Sequence, residues 1–110
     1  LGRRRALEEG NGTMNTYVVL LNMTKKGIDT ITESGERVEI VRNAVEGAGG
    51  RIKDYYLTMG SYDFMVVFEI PDDITMARLL LQVGQLGAVR TTCMRAFGEA
   101  DYGEILAGLA

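Results

Sequence analysis

Two runs of this chain are apolar however they are divided. In residues 16–23, Tyr17, Val19, Leu21 and Met23 share one parity, and Val18, Leu20 and Asn22 share the other. In residues 64–70, Phe64, Val66, Phe68 and Ile70 face one way, and Met65, Val67 and Glu69 face the other. Successive side chains of a strand point to opposite faces, so a run apolar on both parities has to be covered on both. The pattern predicts two central strands of one sheet.

The flanking β-rich runs are different. Residues 51–59 begin with Arg51, Lys53 and Asp54, and residues 88–97 carry Arg90, Thr91, Thr92 and Arg95 among Val89, Met94 and Phe97. Charge along a strand discourages pairing with strangers and suits a sheet edge. Gly60-Ser61 divides the second run from the third and reads as a two-residue hairpin loop, glycine first as a type II′ turn wants.

Between the first two strands, residues 24–33 read as a polar connection around Gly27, with a helical turn at 28–31. Ser34 is the expected N-cap of a helix, with Glu36 in its first turn. Its stripe is Val38, Val41, Ala44 or Val45, and Ala48, and Gly47, Gly49 and Gly50 end it. Pro71 closes the third strand, and Asp72 or Asp73 caps a second helix striped by Met76, Leu79, Leu80, Val83 and Leu86. Residues 99–109 form a short amphipathic helix with Tyr102, Ile105, Leu106 and Leu109 on one side.

The order β-α-β-β-α-β plus a terminal helix predicts an α+β, ferredoxin-like sheet with the first and third strands in the middle. Both long helices then pack on one face. The other face keeps an apolar set from each central strand, more than a monomer usually exposes. The terminal helix is too short to cover it. A homodimer with two sheets face to face, a dimeric α+β barrel, is expected over a monomer whose terminal helix and N-terminal extension fold across that face.

A chain of 110 residues has length for one core only. Residues 1–15 read as a flexible extension with Met14 as the expected start, and residues 16–110 as the domain. The net charge of -3 offers no footprint for nucleic acid, and Arg3, Arg4 and Arg5, followed by Glu8 and Glu9, read as a solvated tail. The sequence contains no histidine, which removes imidazole acid–base chemistry and His-ligated zinc or haem. No metal or cofactor is expected. Cys93 is the single cysteine, so no disulfide closes within the chain and a reducing compartment is expected. No run approaches the ~20 apolar residues of a membrane helix. A cytoplasmic protein without a membrane partner is the expectation.

Several stretches, taken together, resemble the GYD-domain family. They are Tyr17-Val18-Val19-Leu20, Thr24 with Gly27, Gly49-Gly50, and Thr58-Met59-Gly60-Ser61-Tyr62-Asp63 with its G-x-Y-D. Pro71-Asp72-Asp73 and Gly87-Ala88-Val89-Arg90-Thr91 complete the set, which spans about residues 14–109. The family often has proline where Gly35 follows Ser34. The resemblance implies a dimeric α+β barrel and little about activity. A similar G-x-Y-D turn occurs in the ligand-sensing domain of leucine-responsive regulators, near an amino-acid effector site. No helix-turn-helix precedes the sheet here, so a complete regulator is not expected.

Candidate site residues follow from polar groups beside or within the sheet. Tyr62 and Asp63 either satisfy the loop, Tyr62 packing across the hairpin and Asp63 accepting backbone amides, or line a ligand cleft; the structural role is favoured. Tyr55 and Tyr56 point to opposite faces, so only one reaches a given pocket. Asn22 is an amide among apolar neighbours and needs partners. Arg95, with Thr58 and Thr92, is a candidate carboxylate-binding group, though arginine on an edge is more often half solvated or paired across a dimer. Glu69 is either a buried proton carrier or a strand-end residue in water. The ligand-binding candidates are therefore Asn22, Tyr56, Thr58, Tyr62, Asp63 and Arg95.

Two functions are in view. One is a homodimeric module that binds or senses a small acidic or hydroxylated metabolite without catalysis. The other is a cofactor-free oxygenase or isomerase, in which Asn22, Tyr56 and Glu69 would steer a substrate in an apolar cavity. A third role, as an assembly subunit, stays open.

Overall fold

The computed structural model describes residues 13–109. The expected extension therefore lies almost wholly outside the described residues, and the first strand already begins at Asn15. The elements are β1 (Asn15–Met23), α1 (Lys25–Asp29), a 3₁₀ turn (Ile31–Glu33), α2 (Ser34–Gly47), β2 (Arg51–Leu57), β3 (Phe64–Ile70), α3 (Asp73–Gln85), β4 (Val89–Ala96) and α4 (Glu99–Ala107).

The four strands form one antiparallel sheet in the order β2-β3-β1-β4. The two doubly apolar runs are its centre and the two charged runs its edges, as their composition predicts. Each helical crossover passes over one central strand, α2 on the way from β1 to β2 and α3 on the way from β3 to β4. This is the ferredoxin-like arrangement.

The core lies on the face the helices cover. Tyr17 and Val19 of β1, with Val66, Phe68 and Ile70 of β3, are buried there against Val45 of α2 and Met76 and Leu79 of α3. Val19, Val45 and Ile70 lose essentially all contact with water. Side chains of this size contribute roughly 1.5–3 kcal/mol each when fully buried. Leu21, Val41, Ala44, Ala48, Ile52, Leu80 and Cys93 pack around them half-buried.

Three local expectations are corrected. The β2–β3 connection is not a two-residue hairpin loop: β2 stops at Leu57, and residues 58–63 intervene. The Thr58 N–H donates to the Asp63 carbonyl at 2.8 Å, and the Thr58 hydroxyl to the Tyr62 carbonyl at 2.6 Å. Gly60 keeps the positive φ expected of it, +128°, but Asp63 is drawn to the end of β1, which lengthens the loop. Ser34 is not an N-cap. The 3₁₀ turn before it runs straight into α2, and the capping position, Glu33, makes no side-chain cap. In the preceding connection helix forms earlier than expected, because Thr24 caps α1 by accepting the Gly27 N–H. Asp72 caps α3 as expected, accepting the Thr75 N–H at 2.8 Å.

Thr24 also fastens the two crossovers together. Its N–H reaches the Ala88 carbonyl at 2.9 Å and its hydroxyl the Gly87 carbonyl at 2.6 Å. Gly27 packs so closely on this turn that a Cβ would stand 2.1 Å from the Ala88 oxygen. Only glycine fits there.

Candidate functional site

The sheet's two faces offer two sites of opposite kind. Below the helices, α2 and α3 leave a cavity of about 90 Å³ over the sheet. Val19, Leu21 and Val66 form its floor, with Val41, Val45 and Leu79 among its walls. Its polar lining is sparse: Ser34 and Arg37 at the start of α2, Tyr55 on β2, and Thr91 on β4. The exposed side chains in this lining, Ile31 and Tyr55, mark the mouth. Tyr55 meets Phe64 with ring centroids 5.7 Å apart. Burial pushes the Tyr55 hydroxyl above its ordinary pKa, opposed by the charge of Arg42.

Arg37 is half-buried and held from one side. Its Nη1 donates to Thr30 Oγ1 at 3.0 Å, and its Nη2 to the carbonyls of Thr30 at 3.3 Å and Gly27 at 3.5 Å. Among the described residues, no carboxylate lies within ion-pair distance of it.

Among the described residues no helix packs on the opposite face. Cross-strand pairing lays its side chains in rows, of which two carry the apolar residues of the central strands. Tyr56, Met65, Leu20 and Thr92 form one row, and Asp54, Val67, Val18 and Met94 the other. Glu69 stands at the end of this face, half-buried, accepting from Arg51 Nε at 2.5 Å. The terminal helix α4 does not lie over these rows. Every residue from Phe97 to Leu109 is exposed, including Tyr102, Ile105, Leu106 and Leu109 of its apolar side.

The six candidate residues do not form one cluster. Asn22 and Tyr56 lie on the open face, with Asn22 paired to Arg90 and Tyr56 to Met65. Thr58, Tyr62 and Asp63 gather at the loop beside the end of β1. There the Met23 N–H donates to Asp63 Oδ2 at 2.8 Å, and the Asp63 N–H donates to the Leu21 carbonyl at 2.9 Å. Asp63 thus accepts a backbone amide, but that of a neighbouring strand. Arg95 sits at the other end of β1, six residues along and so about 20 Å away. Its guanidinium lies between the rings of Tyr17 and Phe97, 5.6 and 4.5 Å from their centroids. It donates to Asn15 Oδ1 at 2.9 Å and to the Ala96 carbonyl at 2.5 Å. Arg95 braces the first strand.

Beside it, the Tyr17 hydroxyl donates to the Asp73 carboxylate and accepts from Asn15 Nδ2 at 3.2 Å. Burial raises the Tyr17 pKa, and the Asp73 hydrogen bond raises it further. Burial also pushes the Cys93 thiol up, away from the thiolate a nucleophile needs. Sequence reasoning missed Arg37. The signal was present, since position 37 precedes the apolar Val38 and Val41 on α2, but a first-turn arginine reads as solvated until the cleft is seen. Among the described residues no group of cysteine and carboxylate side chains has metal-ligand placement, and no helix is long and apolar enough to cross a membrane.

The GYD domain model matches residues 17–106. A protein of Thermus thermophilus named "Glutamine synthetase and cystathionine beta-lyase binding protein" is 35% identical over 89 residues, covering 80% of this chain and 94% of that protein. The crystal structure of MtbAldR superimposes with a TM-score of 0.59 at 14% identity, over 77% of this chain. This chain spans about half of that protein, 52% of its length. That likeness concerns the fold alone.

Proposed function

The chain belongs to the GYD-domain family, and from that premise we propose that it is a homodimeric, non-catalytic binding module that docks on metabolic enzymes and responds to a small acidic or hydroxylated metabolite. Residues 16–110 are the working unit in this reading, preceded by the extension. The observation that carries it is the open sheet face: Val18, Leu20, Met65 and Val67 stand in two contiguous rows, and α4 leaves them uncovered. A second sheet laid on those rows removes them from water, and the apolar side of α4 then has a neighbour to grip. A stable interface of this kind buries on the order of 1,600 Å².

The relative named for binding glutamine synthetase and cystathionine beta-lyase supports the docking half of the proposal. With the sheet face given to self-association, the outer layer of helices is the surface left for an enzyme, and Ile40 and Leu81 project from it exposed. A cofactor-free oxygenase or isomerase would draw its polar groups into the apolar cavity. Asn22, Tyr56 and Glu69 lie on the other side of the sheet, which favours binding over catalysis.

Sedimentation tests the self-association. The expected result is a dimer at about 10 μM, and a Val67→Asp chain that is a folded monomer at the same concentration, its dissociation constant raised at least about a hundredfold. A monomeric wild type overturns the reading. Docking is tested by co-elution with glutamine synthetase and with cystathionine beta-lyase from the same source; passage of both enzymes without the chain overturns that half.

A further inference from the structure

We propose that the cavity under α2 and α3 is the ligand site, and that its ligand is a small monocarboxylate with a branched or single-ring apolar body and no ammonium group. The inference rests on the sensing half of the reading above and gives it an address and a chemical class. Protein interiors are packed to the density of organic crystals, and voids larger than a water molecule are few. This one is lined almost wholly by valine, leucine, isoleucine, methionine and phenylalanine. Water gains little there, because it needs two to four polar partners. An apolar body of a few carbon atoms gains what water cannot.

The lining then selects the head group. Among the described residues Arg37 is its single charged member. Three contacts tether its guanidinium to Thr30 and Gly27, leaving the Nε–H and the second Nη1–H without an acceptor among the described residues. Either free N–H can donate to one oxygen of a carboxylate, and the fixed positive charge strengthens that bond. Ser34 lies in the same lining at the first position of α2, where no side chain caps the helix and its dipole favours negative charge. Glu33 and Glu36 are nearby in sequence but exposed and outside the lining. Among the described residues no aspartate or glutamate lines the cavity, so an amino acid would bring its ammonium to an apolar site with no carboxylate to pair with it.

Titration of ¹³C-methyl-labelled protein tests this with 4-methylpentanoate, leucine and 4-methylpentan-1-ol, in the wild type and in Arg37→Gln. The acid is expected to shift the methyl signals of Val41, Val45 and Leu79, and to bind at least about tenfold more tightly than the alcohol. Leucine leaves them unmoved. In Arg37→Gln the gap between acid and alcohol closes. The wild-type comparison stands by itself if that variant folds poorly. Leucine binding as tightly as the acid, acid and alcohol binding alike, shifts confined to Val18, Leu20 and Val67, or no shift at all would each overturn the inference. Sedimentation of the same samples keeps the two readings apart: a dimer indifferent to the acid sinks only the ligand, and a monomer that binds it sinks only the self-association.

Discussion

The two faces of the sheet are built from the same kinds of residue and meet different fates. On one, Val19, Val66 and Ile70 are sealed by α2 and α3. On the other, Val18, Leu20, Met65 and Val67 alternate with them along the same strands and, among the described residues, have no helix above them. Apolar side chains are therefore not sorted here by chemistry but by which side each crossover takes. A right-handed crossover puts both long helices on one side, and among the described residues α4 does not cover the other. The lesson is that an apolar strand face becomes core only where the topology brings a helix over it, which alternation along the strand does not reveal.

The sharpest way to break that contrast is a matched pair of truncations. Ile70→Ala on the covered face is expected to cost about 2–5 kcal/mol, from lost burial and the cavity left behind. That cost is independent of protein concentration. Leu20→Ala on the open face is expected to cost under about 1 kcal/mol in dilute, dissociated protein and more as concentration rises. Urea titrations at two concentrations separate them, and equal costs at both would end the distinction.

Next in size is the fastening between the crossovers. Gly27→Ala sets a methyl 2.1 Å from the Ala88 carbonyl oxygen, and backbone has to yield. A loss of about 3 kcal/mol is expected by thermal unfolding, against near neutrality for Gly35→Ala, where nothing stands within 4 Å. Smaller again is the loop anchor. Asp63→Asn weakens the acceptor for the Met23 N–H and is expected to cost about 1–2 kcal/mol. It should speed amide exchange at Met23 while leaving the affinity for 4-methylpentanoate unchanged, since Asp63 does not line the cavity.

The smallest effect is one of pH on the covered face. Tyr17 and Tyr55 have pKa values raised above the ordinary 10.0, chiefly by burial. Folding therefore favours their neutral forms, and the stability this supplies is whole below pH 10. It is lost as the pH climbs from there through the folded-state values. Tyr17→Phe is expected to flatten the alkaline fall measured by urea titration, and an unchanged slope would locate the cause elsewhere.

Much of this is legible in residues alone. The parity of Tyr17 to Met23 and of Phe64 to Ile70 identifies the central strands, because a period of two cannot hide which faces are apolar. The charges of Arg51, Lys53 and Arg90 identify the edges. The 58–63 loop escapes such a reading because Gly60-Ser61 is a local signal, and the bond that lengthens the loop comes from Met23, 40 residues away in the chain. The site candidates scatter for the same reason. Asp63 and Arg95 are both polar neighbours of β1, but nothing in their spacing tells that they attach to opposite ends.

Strand order, strand faces and the family pattern were thus determined by the sequence itself, since each follows from side-chain alternation and from glycines placed where a close approach (Gly27) or a positive φ (Gly49 and Gly87) favours them. Only the tertiary structure decided that Arg37 borders an apolar cavity, that Arg95 is spent on Tyr17, Phe97 and Asn15, and that α4 stands clear of its own sheet. Those facts depend on where separate elements come to rest against one another, and packing at that scale is set by the sum of many contacts and by no single periodicity.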